Sequence, residues 1–353
     1  ELDSRHGHRG GLARPELAVL LAFTKNLLAE RLEASALPSD RSFDELLLSY
    51  FPSQVGEQFR DLALRHPLRN ELVATILANR LVNRGGISMV HRLMGETSAT
   101  VEDIARAATA AWRIYDLNSL WGAITELGVD VPAGTRTELQ LDVKRLGERA
   151  TRWLLHNEVQ PIDIDAVVAA YSDPVRSLEE IDAEDVDSRP ASELERIDHL
   201  VGQGVPEALA RRVAATGPAF GFLELSQLAD RTKVDLETVA AVSGSLDEQL
   251  DLWWLRQVVI DLPRTDYWET MARSALRDEF FREHATLTGA VIEHVGPDRA
   301  LPADKAVNDW LRDNDVAAER CRQTFADVRE SAVHDLARVS VAVRSLSQLT
   351  RAR

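Results

Sequence analysis

One cysteine, Cys321, stands alone in 353 residues. A single thiol excludes an internal disulfide framework and fits a reducing compartment. It lies in the helical pattern "AAERCRQTF", where a small apolar filler suits the context better than a nucleophile. Long apolar runs are missing too. The longest, "LAVLLAF" from Leu17 to Phe23, falls far short of the ~20 residues that span a bilayer. The opening "ELDSRHGHRGG" is polar and glycine-rich, so no signal peptide is expected, and without a Met it reads as a cut inside a longer chain. Positive charge is in deficit: 41 Lys and Arg face 57 Asp and Glu, for a net charge of −16. That balance argues against nucleic acid and anionic membrane as partners, because phosphate demands a basic face.

Catalytic signatures are also scarce. There is no G-x-G-x-x-G and no G-x-x-x-x-G-K-[ST]; "GQGVPE" from Gly202 lacks the third glycine, and no strand pattern leads into it. His6 and His8 are two imidazoles in a glycine-rich start, fewer than a metal site needs, and no H-E-x-x-H exists. Asp163 and Asp165, like the acidic run near 180, read as solvated loop, since no calcium-loop glycine follows. Trp253, Trp254 and Trp268 read as core or interface aromatics. "LSQLADRTKVDLETVAAV" has a helix-turn-helix outline, but its second helix offers Asp235 and Glu237 where DNA would want cationic or amide side chains.

What remains is helix. Apolar content is 45%, Leu and Ala dominate, and period-two alternation is nearly absent. The expectation is therefore an all-α, multi-helix array, with two helical halves and no significant sheet. Pro15 opens the first helix, whose face is Leu17, Leu20, Leu21, Leu28 and Leu32. Leu72, Val73, Ile76, Leu77 and Leu81 stripe a helix from Leu68 to about Arg84. Thr100 before "VED" predicts an N-cap with an acidic first turn, for a helix through Tyr115. Asp163 or Asp165 caps a helix ending at Tyr171, and separate helices are expected over 236–242 and 247–260. A final stripe carries Phe325, Val328, Ala332, Leu336, Val339, Val343 and Leu346. These signals divide the chain into a first subdomain (1–178), an acidic linker or loop (179–190), a second subdomain (191–302) and a C-terminal segment (303–353).

The sequence also echoes itself. Shifted by 135 residues, "LMGETSATVEDIARAATAAWRIYDLNSLW" from Leu93 lies on "LADRTKVDLETVAAVSGSLDEQLDLWWLR" from Leu228 without a gap. Leu93/Leu228, Thr97/Thr232, Glu102/Glu237, Asp116/Asp251 and Leu120/Leu255 coincide. A duplicated helical unit explains this, as does chance between two Ala-rich amphipathic segments.

The most distinctive stretch is "ILANRLVNRGGISMVHRL", with Asn79 and Asn83, then Arg80 and Arg84, four residues apart before Gly85-Gly86. The glycine pair reads as helix termination. Asn79 shares a face with Leu72 and Ile76, so at least one amide should be partly buried and hydrogen-bonded. Arg80, Arg84 and Arg92 should pair with carboxylates or reach a neighbouring domain.

That block, with "LARPELAVLLAFTKNLL", "YFPSQVGEQF", "ERATRWLL", "GVPEALARRVA" and "WETMARSALRDEF", resembles the C-terminal region of the large bacterial NAD-specific glutamate dehydrogenases. The likeness runs in order along most of the chain and weakens after about Ala303. The resemblance implies a cytoplasmic homo-oligomer that oxidises L-glutamate to 2-oxoglutarate and ammonium with NAD. It places the nucleotide site and the catalytic lysine and aspartate upstream, so no catalytic, cofactor-binding or metal residue is assigned here. The expected role is structural or regulatory, towards the enzyme's own catalytic domain and identical subunits. Arg14, Asn79, Arg80, Asn83, Arg84, Gly85, Gly86, Arg92, Arg152 and Trp153 are the candidate contacts. The competing reading is a stand-alone helical interaction protein or a helix-turn-helix regulator.

Overall fold

A computed structural model describes residues 13–184, 191–263, 266–296, 302–331 and 333–351. Among them every regular element is a helix, and none is long and apolar enough to cross a membrane. The chain divides into two compact units, one of residues 1–172 with 203–205, the other of 173–202 with 206–353.

The first unit contains α1 (Arg14–Glu33), the short α2 (Asp44–Leu48), α3 (Ser53–Gln58) and α4 (Arg60–Leu64), then α5 (Arg69–Gly85) and α6 (Met89–Thr97). It continues with α7 (Val101–Ile114), α8 (Leu117–Thr125), α9 (Ala133–Asn157) and the start of α10 (Ile164–Glu184). Helix α7 is its centre. Ala105, Ala107, Ala108, Ala110 and Ala111 are buried together with Ile104 and Trp112, a broad apolar face opposite a polar stripe of Glu102, Arg106, Thr109 and Arg113. Small side chains let α9 pack closely along it. Thr100 caps it as expected: its hydroxyl accepts from the Asp103 amide, and Asp103 accepts in return from the Thr100 amide.

Arginines from α5 and α7 tie down the loop between α1 and α2. Arg69 donates to the Pro38 and Asp40 carbonyls, and Arg106 Nη1 lies 2.6 Å from Asp40 Oδ2. Burial opposes ionisation of Asp40, but the Ser42 amide and the Arg106 guanidinium outweigh it and hold the carboxyl below its usual 3.8. A depressed folded value means the stabilisation is complete above the unfolded pKa and disappears as pH falls through the folded one. Asp40→Ala should therefore cost about 1–3 kcal/mol at neutral pH. The gap to the parent chain should close below the carboxyl's depressed pKa, as followed by denaturant unfolding; a pH-independent gap would assign the loss to packing.

The remainder of α10 belongs to the second unit, with α11 (Ala191–Gly202), α12 (Glu207–Ala214), α13 (Thr216–Ala219), α14 (Phe222–Thr232), α15 (Leu236–Leu250) and α16 (Leu252–Asp261). The unit ends with the long α17 (Tyr267–Val295), α18 (Ala303–Asp313), α19 (Asp315–Glu330) and α20 (Leu336–Thr350). Helix α20 packs along α17 and α19, and α15 packs on both α17 and α18.

Several helix boundaries differ from the periodicity reading. Helix α10 passes through Pro174 instead of ending at Tyr171. Its buried stripe Val167, Tyr171, Val175 and Leu178 continues across the proline, and that burial offsets the ~3 kcal/mol an interior proline costs. Its last residues, 179–184, cover half of the expected acidic linker; residues 185–190 lie outside the described ones. The expected gap at Ser243-Gly244-Ser245 is helical, because Val239, Val242, Leu246 and Leu250 keep one buried face. The C-terminal stripe is split between α19, which carries Phe325 and Val328, and α20, which carries Val339, Val343 and Leu346. Asp335 caps α20 after the break, and Ala332 lies outside the described residues.

The sequence echo is also a backbone echo. Four non-glycine residues among those described have a positive φ: Ser98, Asp116, Lys233 and Asp251. They form two pairs with the 135-residue spacing. Thr100 and Asp235, the N-caps of α7 and α15, form a third, and Thr97 and Thr232 each donate to a leucine carbonyl four residues back. Chance similarity of amphipathic helices does not reproduce left-handed joints, which cost about 1–2 kcal/mol per residue. Helices α6–α8 and α14–α16 share one backbone pattern.

Candidate functional site

The corner after α5 collects most of the residues singled out in the sequence. Gly86 closes the helix at φ +87°, ψ 164°, donating its N–H to the Val82 carbonyl. Buried Gly85 precedes it, and α6 starts at Met89. Asn79 is half-buried and donates to the Thr75 carbonyl within α5, at 2.9 Å. Asn83 is exposed.

The two arginines between them are half-buried. Arg80 reaches the Ser49 hydroxyl at 3.4 Å. Arg84 donates to the Asn118 side-chain carbonyl, and its guanidinium stands 5.5 Å from the centre of the Trp112 ring, within cation–π range. Neither has a carboxylate partner among the described residues. Burial lowers the pKa of Arg80, and burial together with the like charge of Arg80 lowers Arg84 to about 10. A cleft of about 230 Å³ opens beside them, bordered by Leu77, Arg80, Trp112, Asn118, Arg113, which is paired with Asp165, and Glu45, which is paired with Arg60. The Arg80/Arg84 edge of this small recess is partly desolvated and positively charged, which suits a carboxylate.

Arg92 and Arg152 are used differently. Arg92 and Glu96 lie one turn apart on α6, and Glu148 and Arg152 one turn apart on α9. Arg92 meets Glu148 at 2.6 Å, and Arg152 meets Glu96 at 2.5 Å and Glu148 at 3.7 Å. Arg152 and Glu96 side chains are only 6% and 7% exposed, so this alternating chain of charges is an internal lock between α6 and α9. Trp153 is buried beside it, edge-on to Tyr171 at 5.5 Å. Arg14 is exposed in the first turn of α1.

A larger cleft in the second unit holds about 640 Å³. Phe222, Trp253, Phe280 and Phe281 wall it, and Ser243, Asp247 and His284 stand in its depth. His284 Nε2 is 3.5 Å from both Asp247 Oδ1 and the Ser243 hydroxyl. A nucleophilic triad needs serine and carboxylate on opposite ring nitrogens, so this arrangement does not activate Ser243. Burial pushes the Asp247 carboxyl up, with His284 and Arg256 partly opposing. Sequence reading missed this cleft. Ser243 and Asp247 share a helical face, but His284 comes from α17, and no local pattern announces the meeting.

Other candidates reduce to structure. Cys321 is buried beside Ser345, and burial pushes its thiol pKa up. No group of three His, Cys, Asp or Glu among the described residues could hold a metal ion; His6 and His8 lie outside them. Helices α14 and α15 do form a helix-turn-helix, yet α15 opens with exposed Asp235 and Glu237, which repel phosphate.

Comparison with known proteins gives one consistent answer. The family model described as "Glutamate dehydrogenase, C-terminal" matches residues 9–348. The chain is 33% identical to the NAD-specific glutamate dehydrogenase of Halomonas elongata, over 99% of this chain and 22% of that protein. It is 32% identical to that of Pseudomonas aeruginosa, over 99% and 22%. Identity to the Mycobacterium tuberculosis protein of the same name is also 32%, over 97% and 21%. The chain thus spans about a fifth of the length of these curated relatives.

Proposed function

The chain belongs to the family of glutamate dehydrogenase C-terminal regions, and from that premise we propose that it is the helical C-terminal module of an NAD-dependent glutamate dehydrogenase. The whole polypeptide would convert L-glutamate, NAD and water to 2-oxoglutarate, ammonium and NADH in the cytoplasm. The residues described here do not fit the dinucleotide. A phosphate-binding turn joins a strand to a helix, whereas Gly85-Gly86 closes a helix and Gly202 ends one. On this reading hydride transfer belongs to another part of the polypeptide, which the family description of this region as C-terminal supports. This module supports that part and takes part in contacts between identical subunits.

The observation that carries the reading is the Arg80/Arg84 pair. Two half-buried cations without a described acid partner, at the edge of a small recess, suit a carboxylate from the catalytic part or from a second subunit. Arg92, Arg152 and Trp153 act indirectly, by fixing the helices behind it.

In the full-length enzyme, Arg80→Ala with Arg84→Ala should lower kcat/KM for glutamate about tenfold, ~1.4 kcal/mol, or shift the oligomer to smaller species. The 353-residue chain assayed alone should form no NADH from glutamate and NAD. Unchanged oligomer mass together with unchanged kinetics would reject the contact role, and turnover by the isolated chain would reject the module assignment.

A further inference from the structure

The two copies of the repeated backbone pattern each border a cleft, and they do so with corresponding residues. Thr109, Trp112, Arg113 and Asn118 line the cleft of the first unit. Their counterparts Gly244, Asp247, Glu248 and Trp253 line that of the second. The position of the cleft is thus a property of the motif, and its contents have diverged. In the first copy an indole stands where the second has a carboxylate, and a threonine where the second has glycine. The cleft shrinks accordingly, from about 640 Å³ in the second unit to about 230 Å³ in the first. In the first copy, moreover, guanidinium groups from α5 occupy the neighbourhood, Arg84 against Trp112 and Asn118, Arg80 at the margin.

The second cleft has the size of a small-molecule site, and its chemistry selects one kind of occupant. Its aromatic walls bury apolar surface. Asp247 lines it, and the nearest side-chain nitrogen, His284 Nε2, is 3.5 Å away, at the outer edge of hydrogen-bonding distance. Among the described residues no group donates to this carboxylate at an ordinary hydrogen-bonding distance. Glu224, Glu237, Glu248 and Asp304 add negative charge to the lining, against Arg256, which lies 3.8 Å over Trp253. We propose that this cleft binds a small organic cation, an amine or guanidine on an apolar or aromatic body, with Asp247 as its counter-ion. A cation supplied here relieves the desolvated carboxylate, as the guanidinium groups of α5 supply positive charge to the first copy. The assignment is independent of the role given to the Arg80/Arg84 surface.

The test uses three probes of one shape and different charge: phenethylamine, 2-phenylethanol and 3-phenylpropionate, titrated into the 353-residue chain by calorimetry or ligand-observed NMR. The amine is expected to bind at least about tenfold more tightly than the alcohol, with the acid weakest. Asp247→Asn should bring amine and alcohol to equal affinity. Gly244→Leu should block all three, because a side chain built at Gly244 meets open space facing the cleft. The two variants act by different routes, charge and volume, so a folding defect in one leaves the other decisive. Equal affinity of amine and alcohol for the parent chain, no amine binding at millimolar concentration, or amine selectivity surviving both substitutions would overturn the proposal.

Discussion

Arg152→Met should destabilise the first unit by about 3–5 kcal/mol, the range for breaking one partner out of a buried ion pair. The side chain is 6% exposed, and its Nη2 lies 2.5 Å from a Glu96 carboxylate that is itself 7% exposed. Removing the guanidinium leaves Glu96 charged, dry and unpaired. Glu148 is less affected, because Arg92 holds it at 2.6 Å. The loss should therefore reside in one pair. Glu96→Leu with Arg152→Met, which removes both charges and keeps the volume apolar, should recover most of it, and the coupling identifies the interaction. Urea-dependent hydrogen exchange on α6 and α9 would read the effect where it occurs. A cost below about 1 kcal/mol would mean that water reaches Glu96 and that the lock is ornamental.

That lock shows where sequence reading succeeds and where it stops. Arg92 is expected from sequence to pair with a carboxylate or reach a neighbouring domain, and Arg152 to be a contact residue. The sequence could not choose Glu148 and Glu96, because the choice depends on how α6 and α9 cross. Helix existence was legible throughout, since three-to-four spacing of Leu, Val and Ala is a local property. Boundaries were legible where a cap carried them, at Thr100 and at the Asp163/Asp165 pair, of which Asp163 accepts from the Ala166 amide. They were misread where a breaker residue was overruled by burial, at Pro174 and at Gly244.

The second cleft was illegible for a different reason. Its aspartate and serine look like surface residues of a weak helical segment until α17 delivers His284 and two phenylalanines to the same place. The 135-residue echo offered the missing cue. Laying α15 on α7 extends it through Ser243-Gly244-Ser245 and puts its end at Asp251, matching Asp116. It also sets Asp247 on Trp112, a charge at a position the first copy fills with an indole. An internal echo serves as a second sequence, and its mismatches mark where the two halves do different things.

Gly86→Ala should cost the first unit about 2–3 kcal/mol, the strain of holding a side chain in a backbone region that is nearly glycine-only. At φ +87° and ψ 164° the residue is neither helical nor in the left-handed helical region. The new Cβ would in addition lie 2.7 Å from Lys144 Nζ, although that flexible end can withdraw. Backbone strain is therefore the main cost, and Lys144→Ala should not rescue the variant. A contrasting substitution checks the reasoning on the same scale. Lys233 already sits at φ +56°, ψ 29°, a left-handed joint unfavourable to any residue with a Cβ. Lys233→Gly should stabilise the second unit by about 1 kcal/mol, its exposed pair with Asp230 contributing little in return. Opposite signs at the two joints, measured by thermal or urea unfolding, would establish Gly86 as a backbone requirement of the corner that presents Arg80 and Arg84. If Gly86→Ala kept full stability yet altered oligomer mass in the full-length enzyme, the glycine would instead be reserved for the close approach of a partner.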